Sequence, residues 1–214
     1  MMKEVRTTTS PLKIRTISED EPALIEGYAL KFNRQSDVLG GIVSFRETID
    51  PDALRSADMS NVVALFNHDE NQVLGRTGVN LSLTVDDVGL RYSFTPPNTQ
   101  LGKDLLENIR SGLISQSSFA FTIDGSEDAE EWRDSKEKGV QYERTIRKIN
   151  QIFDVSPVTF PAYPSTEVKV GERSMKFIEE LRAKKEPAKP QIWQIEKQKM
   201  LRELEIEDIL KGIQ

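Results

Sequence analysis

Residues 115–123 read SQSSFAFTI, and their alternation decides both the kind of element and how its side chains divide. Successive side chains of a strand point to opposite faces, so Ser117, Phe119 and Phe121 share one face and Gln116, Ser118 and Ala120 the other. With the phenylalanines in a core, Ser118 points away from it, toward a groove or solvent. A hydroxyl there is either an ordinary surface serine or an attacking group. Ser115 and Ser117 offer the same chemistry, and parity disfavours Ser117.

Working outward, residues 24–32 alternate Tyr28, Leu30 and Phe32 with small or polar residues, and residues 40–49 (GGIVSFRETI) follow a glycine-bearing turn; both read as strands. Asp50 and Pro51 then start a short helix ending near Asp58, since aspartate caps free amides and proline fits a first turn. Further strands are expected at 62–67, at 73–77 and in the hairpin LSLTV/GLRYSF. Asn98 or Thr99 caps a helix with Leu101, Leu105 and Ile109 on one face, and Gly112 stops it. Beyond residue 123 an acidic loop, GSEDAEEWRDSKEKG, is expected in solvent, followed by strands at 142–148 and 151–159 before Pro161 and Pro164.

The resulting expectation is an α+β fold, mainly an antiparallel β-barrel flanked by helices, with a helical C-terminal tail. Periodicity supplies the strands; closure into a barrel is an expectation about how they join. Residues 1–22 read as a polar, partly ordered N-terminal arm, 23–170 as the main domain and 171–214 as a charged tail. In the tail Phe177, Ile178 and Leu181 fall on one amphipathic helix, and Leu201, Leu204, Ile209 and Ile213 on another.

Composition narrows the chemistry. The 214 residues include no cysteine, which excludes disulfides, thiolate zinc sites and a cysteine nucleophile. A formal charge of −6 argues against a nucleic-acid partner. Neither a secretion signal nor a membrane-length apolar stretch is evident, so the expected location is the cytoplasm, with no membrane partner. No phosphate loop, dinucleotide fingerprint or helical histidine pair appears, and no cofactor is expected. Metal binding by the acidic residues 124–137 is outweighed by their reading as a solvated charge run.

Two further segments complement Ser118. His68, the single histidine, follows the apolar run VVALF and is embedded in the polar turn NHDENQ. An imidazole at a strand end can accept a proton and return it near neutral pH, or simply bond to Asp69 or Glu70. Asp154 interrupts the apolar strand IFDVSPV; alternation puts it with Ile152 and Ser156, opposite Phe153 and Val155. A carboxylate on a core strand needs a partner, and either His68 or an arginine such as Arg147 would serve. Glu131 and Glu143 are lesser candidates for the same role. Hydroxyl, imidazole and carboxylate together are the parts of a peptide-bond hydrolase, and such sets are assembled in space whatever their chain order.

The ordered series EGYALKFN, FRETIDPDAL, FNHDENQVLGRT, the helix ending at Gly112, SSFAF and DVSPVTFPAYPSTEV resembles the bacteriophage prohead, or head maturation, proteases over roughly residues 23–170. The resemblance implies a serine endopeptidase, similar in fold to the herpesvirus assembly proteases, that acts inside an assembling phage prohead in the host cytoplasm. By motif, Ser118 matches the nucleophile, His68 the base and Asp154 the acidic third member. Two positions depart from the pattern: Ala120 stands for a glycine, and Asp154 for a glutamate with one more methylene of reach. The resemblance further implies scaffold and major capsid proteins as substrates, self-cleavage near or within the tail, and association into an oligomer. Two other readings stand beside it: a catalytically inactive capsid-assembly factor with a protease-like domain, and an esterase or amidase using the same three groups.

Overall fold

The computed structural model describes residues 3–8, 11–15, 23–40, 43–160 and 172–185, and among them it has twelve strands, most of them over alternating sequences. In chain order they are β1 (Glu4–Thr8), β2 (Lys13–Arg15), β3 (Leu24–Lys31), β4 (Phe45–Ile49), β5 (Val63–Phe66), β6 (Asp69–Arg76), β7 (Leu81–Val85) and β8 (Gly89–Phe94). After helix α1 (Gln100–Arg110) come β9 (Gln116–Ile123), β10 (Glu130–Asp134), β11 (Tyr142–Ile146), β12 (Ile149–Val158) and helix α2 (Glu172–Lys185). By internal contacts the chain divides into Met1–Ser174 and Met175–Gln214, and the site described below lies wholly in the first unit.

The local signals act where they stand. The Thr99 hydroxyl accepts from the Gly102 amide at the start of α1, and Gly112, at φ 77°, follows its end in the left-handed region where a side chain is costly. Asp50 caps a turn that is shorter than expected, a single 3-10 stretch at Pro51–Leu54. Phe177, Ile178 and Leu181 lie on α2, whereas Leu201, Leu204, Ile209 and Ile213 fall outside the described residues.

The strands do not close into a barrel. They form three open sheets, in the orders β1-β9-β12-β5-β6, β10-β11-β4 and β2-β3-β8-β7, making a mixed α+β fold. Nor is pairing antiparallel throughout, because β12 runs parallel to β5 and β11 parallel to β4. Alternation identifies a strand and its buried face; it carries no information on which distant strand lies alongside, and that is where the barrel expectation failed. The acidic loop is corrected too: it contains β10, whose Trp132 packs on Phe45 at 4.9 Å and whose Glu130 is buried against Arg144. One aromatic and one paired charge were enough to bring this polar stretch inside.

Where β1, β4, β10 and β11 meet, five charged side chains are buried together. Arg6 binds both carboxylate oxygens of Glu47 at 2.8 Å and reaches Glu4 at 2.6 Å. Arg144 binds Glu4 through two nitrogens at 2.8 and 3.0 Å, and both Glu47 and Glu130 at 2.8 Å. Burial would raise the Glu4 carboxyl, but Arg144 and Arg6 outweigh it and hold the group down at about 2. Such clusters fix geometry more than they stabilise, because desolvation consumes most of the attraction.

Candidate active site

β9 shows the division that its sequence requires. Phe119 and Phe121 enter the core and stack at 4.9 Å, and Ser117 on their face exchanges a 2.7 Å hydrogen bond with the buried Tyr92 hydroxyl. Ser117 is therefore structural. Ser118 looks to the other face, opposite Thr7 of β1 on one side and Ser156 of β12 on the other.

β12 brings Asp154 to that same face through an irregularity. Ile152 opposes Phe121 and Asp154 opposes Ala120, so Phe153 is an extra residue in the ladder. Ile152 consequently faces the core and Asp154 does not, which corrects the expectation that they share a side. The bulge swings the carboxylate toward Ser118.

His68 arrives from the next strand pair. β5 and β6 are joined by two residues, Asn67 and His68, with φ 55° and 59°, and Phe66 pairs with Asp69 across the turn. Two consecutive positive φ values mark the tight hairpin turn matching strand twist, for which asparagine followed by glycine is the favoured pair. Histidine in the glycine position carries strain of about 1–3 kcal/mol. Asn67 secures the turn to the end of β12: its amide donates to Pro157 O at 3.1 Å, and its side chain exchanges bonds with Thr159 at 2.8 and 3.1 Å.

These elements bring the three side chains together. Nδ1 of His68 is 2.5 Å from Asp154 Oδ1, and Nε2 is 2.6 Å from Ser118 Oγ. With the proton on Nδ1 donated to Asp154, Nε2 is free to accept from the serine. Ser118 and Asp154 are 1% and 2% exposed, while the imidazole retains 21%. None of the blander partners operates: Asp69 accepts from Asn71, Arg147 pairs with Glu131, and Glu143 with Arg133. Glu131 and Glu143 are thus engaged elsewhere.

Three groups received no role from the sequence. The Ser156 hydroxyl donates to Asp154 Oδ1 at 2.9 Å. Lys3 Nζ stands 3.2 Å from Oδ2, an ion pair out of hydrogen-bond alignment, since Oδ2 accepts no hydrogen bond among the described residues. The carbonyl of Arg6 accepts from Ser118 Oγ at 2.9 Å. Only Ser156 had a local signal, as a polar residue two positions from Asp154 on an otherwise apolar strand. Burial pushes the Asp154 carboxyl up, but its interaction with His68, then the Ser156 bond and the Lys3 ammonium, outweigh it, so the group lies below its ordinary value.

A hydroxyl bonded to an imidazole that is in turn bonded to a buried carboxylate can generate a nucleophile and stabilise the cation this creates. Among curated proteins no sequence matches the chain. Among solved structures it resembles the bacteriophage T4 capsid assembly protease gp21, at 13% identity and a TM-score of 0.44, over 74% of this chain and 98% of that one. The family model described as caudovirus prohead serine protease matches residues 10–180, and the chain belongs to that family.

Proposed function

We propose that the protein is a serine endopeptidase that cleaves scaffold and capsid proteins, and its own chain, during phage prohead maturation, with Ser118 as nucleophile, His68 as general base and Asp154 as the group that orients it. The observation that carries this reading is the continuous contact from Asp154 through His68 to Ser118, at 2.5 and 2.6 Å. Family membership supports the reaction class and the setting, an assembling capsid in the host cytoplasm.

In the proposed reaction, Ser118 Oγ bonds to the scissile carbonyl carbon while its proton passes to His68 Nε2. Asp154 stabilises the imidazolium through Nδ1. The tetrahedral species collapses with cleavage of the carbon–nitrogen bond, and His68 gives its proton to the departing amine. Water then attacks the ester, losing a proton to His68, which returns it to Ser118 as the acid product leaves. The aspartate that stands in place of a glutamate reaches the imidazole from beside the bulge at Phe153, at 2.5 Å.

Incubation with purified scaffold protein tests the reading. Discrete fragments should form with the wild-type chain and disappear with His68→Ala; a scaffold left whole by both would favour the inactive assembly factor. One observation favours that second reading, the near-complete cover over Ser118.

A further inference from the structure

The two carboxylate oxygens of Asp154 face different partners. Oδ1 takes the Nδ1 contact with His68 at 2.5 Å and a hydrogen bond from Ser156 at 2.9 Å. Oδ2 is buried, accepts no hydrogen bond among the described residues and has the ammonium of Lys3 at 3.2 Å. That ammonium also stands 5.4 Å from the centre of the Phe153 ring, against β12 at its bulge. The Lys3 side chain is 42% exposed and that of Asp154 2%, so water reaches the cation and not the anion.

The proposed reaction makes opposite demands on Asp154 and His68. The carboxylate must be charged to stabilise an imidazolium, yet the imidazole must be neutral to take a proton from Ser118. In that resting state a buried charge lies beside a neutral ring, and a buried charge without a counter-charge is costly. A proton on the imidazole would relieve the cost and leave the base already occupied. Ser118 and Ser156 offer no charge, and β9 and β5 place only Ala120 and Val63 opposite Asp154. The charges on the surrounding elements are engaged or of the wrong sign. Arg6 of β1 is held by Glu4 and Glu47, Arg76 of β6 bonds to Asn61, Asp69 accepts from Asn71, and Glu70 is an exposed anion. Among the described residues, the counter-charge brought to Asp154 from outside the set of three is therefore Lys3.

We propose that Lys3 is a positioning residue for the candidate base: by compensating Asp154 through Oδ2 it loosens the carboxylate's hold on an imidazole proton, and so sets the pH range over which His68 accepts from Ser118. This inference rests on the protease reading above and adds to it what tunes the base.

Because His68 is the single histidine, its ring gives one set of imidazole signals, and nuclear magnetic resonance follows its titration without catalysis. In Ser118→Ala protein, Lys3→Met should raise the midpoint by at least about half a unit. An opposite charge in contact moves a group by about 1–3 units, and Lys3 acts through one intervening group with water on one side. Lys3→Arg keeps the charge and should titrate as the parent does. An unmoved midpoint in Lys3→Met, or the same rise in Lys3→Arg, would overturn the proposal, since a merely structural role follows shape rather than charge. With Ser118 in place, the acid limb of kcat/KM for scaffold cleavage should move to higher pH by the same amount in Lys3→Met. A profile lowered at every pH with its limb unmoved would also overturn it. If the midpoint moves as stated and neither wild type nor variant cleaves scaffold at any pH, the protease reading fails and the action of Lys3 on His68 stands.

Discussion

β9 has two neighbours of opposite character. On one side β12 contributes Ile152 and Val155 to the core and carries Asp154 and Ser156 on its other face, so it is both scaffold and chemistry. On the other side β1 contributes no residue to that core, contacts Ser118 through a backbone carbonyl and is anchored by charges. The difference teaches that the same ladder of backbone hydrogen bonds can join a strand to one neighbour that buries apolar side chains beside it and to another held by buried ion pairs.

The comparison breaks first at the serine both strands flank. Ser118→Ala should lower scaffold cleavage by about 10⁴-fold or more, with the thermal unfolding transition little changed, as measured by fragment yield and circular dichroism. On β12, Asp154→Asn should cost on the order of 10³–10⁴-fold in cleavage rate, since an amide can present Nδ1 of His68 with the wrong partner and fix the wrong tautomer. A loss of under tenfold would mean that β12 only supports the site.

Stability sharpens the contrast. Ile152→Ala should lower unfolding free energy by about 2–5 kcal/mol, whereas Val5→Ala on β1 should stay within about 0.5 kcal/mol, both read from urea titrations. Comparable losses would show β1 to be as integral as β12. Acid provides a reversible version of the same test. The Glu4 carboxyl is depressed in the folded chain, from 4.5 to about 2. Its contribution is present above pH 4.5 and declines as pH falls toward 2, where folded and unfolded chains both bind the proton. β1 amides should therefore lose protection across that interval before those of β12, and the order can be read by hydrogen exchange. The smallest effect is expected from Ser156→Ala, about tenfold in cleavage rate for one lost bond to a carboxylate.

Much of this architecture was legible in local sequence. Parity placed Ser118 opposite the core-facing Phe119 and Phe121, the turn after VVALF put His68 at a strand end, and burial demanded a partner for Asp154. The cover on Ser118 was not legible, because β1 lies more than a hundred residues away in the chain and EVRTT has no apolar alternation to announce a strand against it. The bulge at Phe153 escaped for a different reason: a two-residue period has no way to mark an inserted residue, and it reversed the face of Ile152. Closure of the sheets was misread because strand partners are a long-range property. Trp132 could have pointed to β10, since a large aromatic in a charged loop rarely stays in water.

Co-expression of the chain with its scaffold and capsid proteins, followed by intact-mass measurement, tests the role of Ser118 most directly. The wild-type chain is predicted to yield trimmed products and Ser118→Ala full-length masses throughout. The same trimmed masses from the Ser118→Ala chain, formed at the same rate, would contradict the assignment.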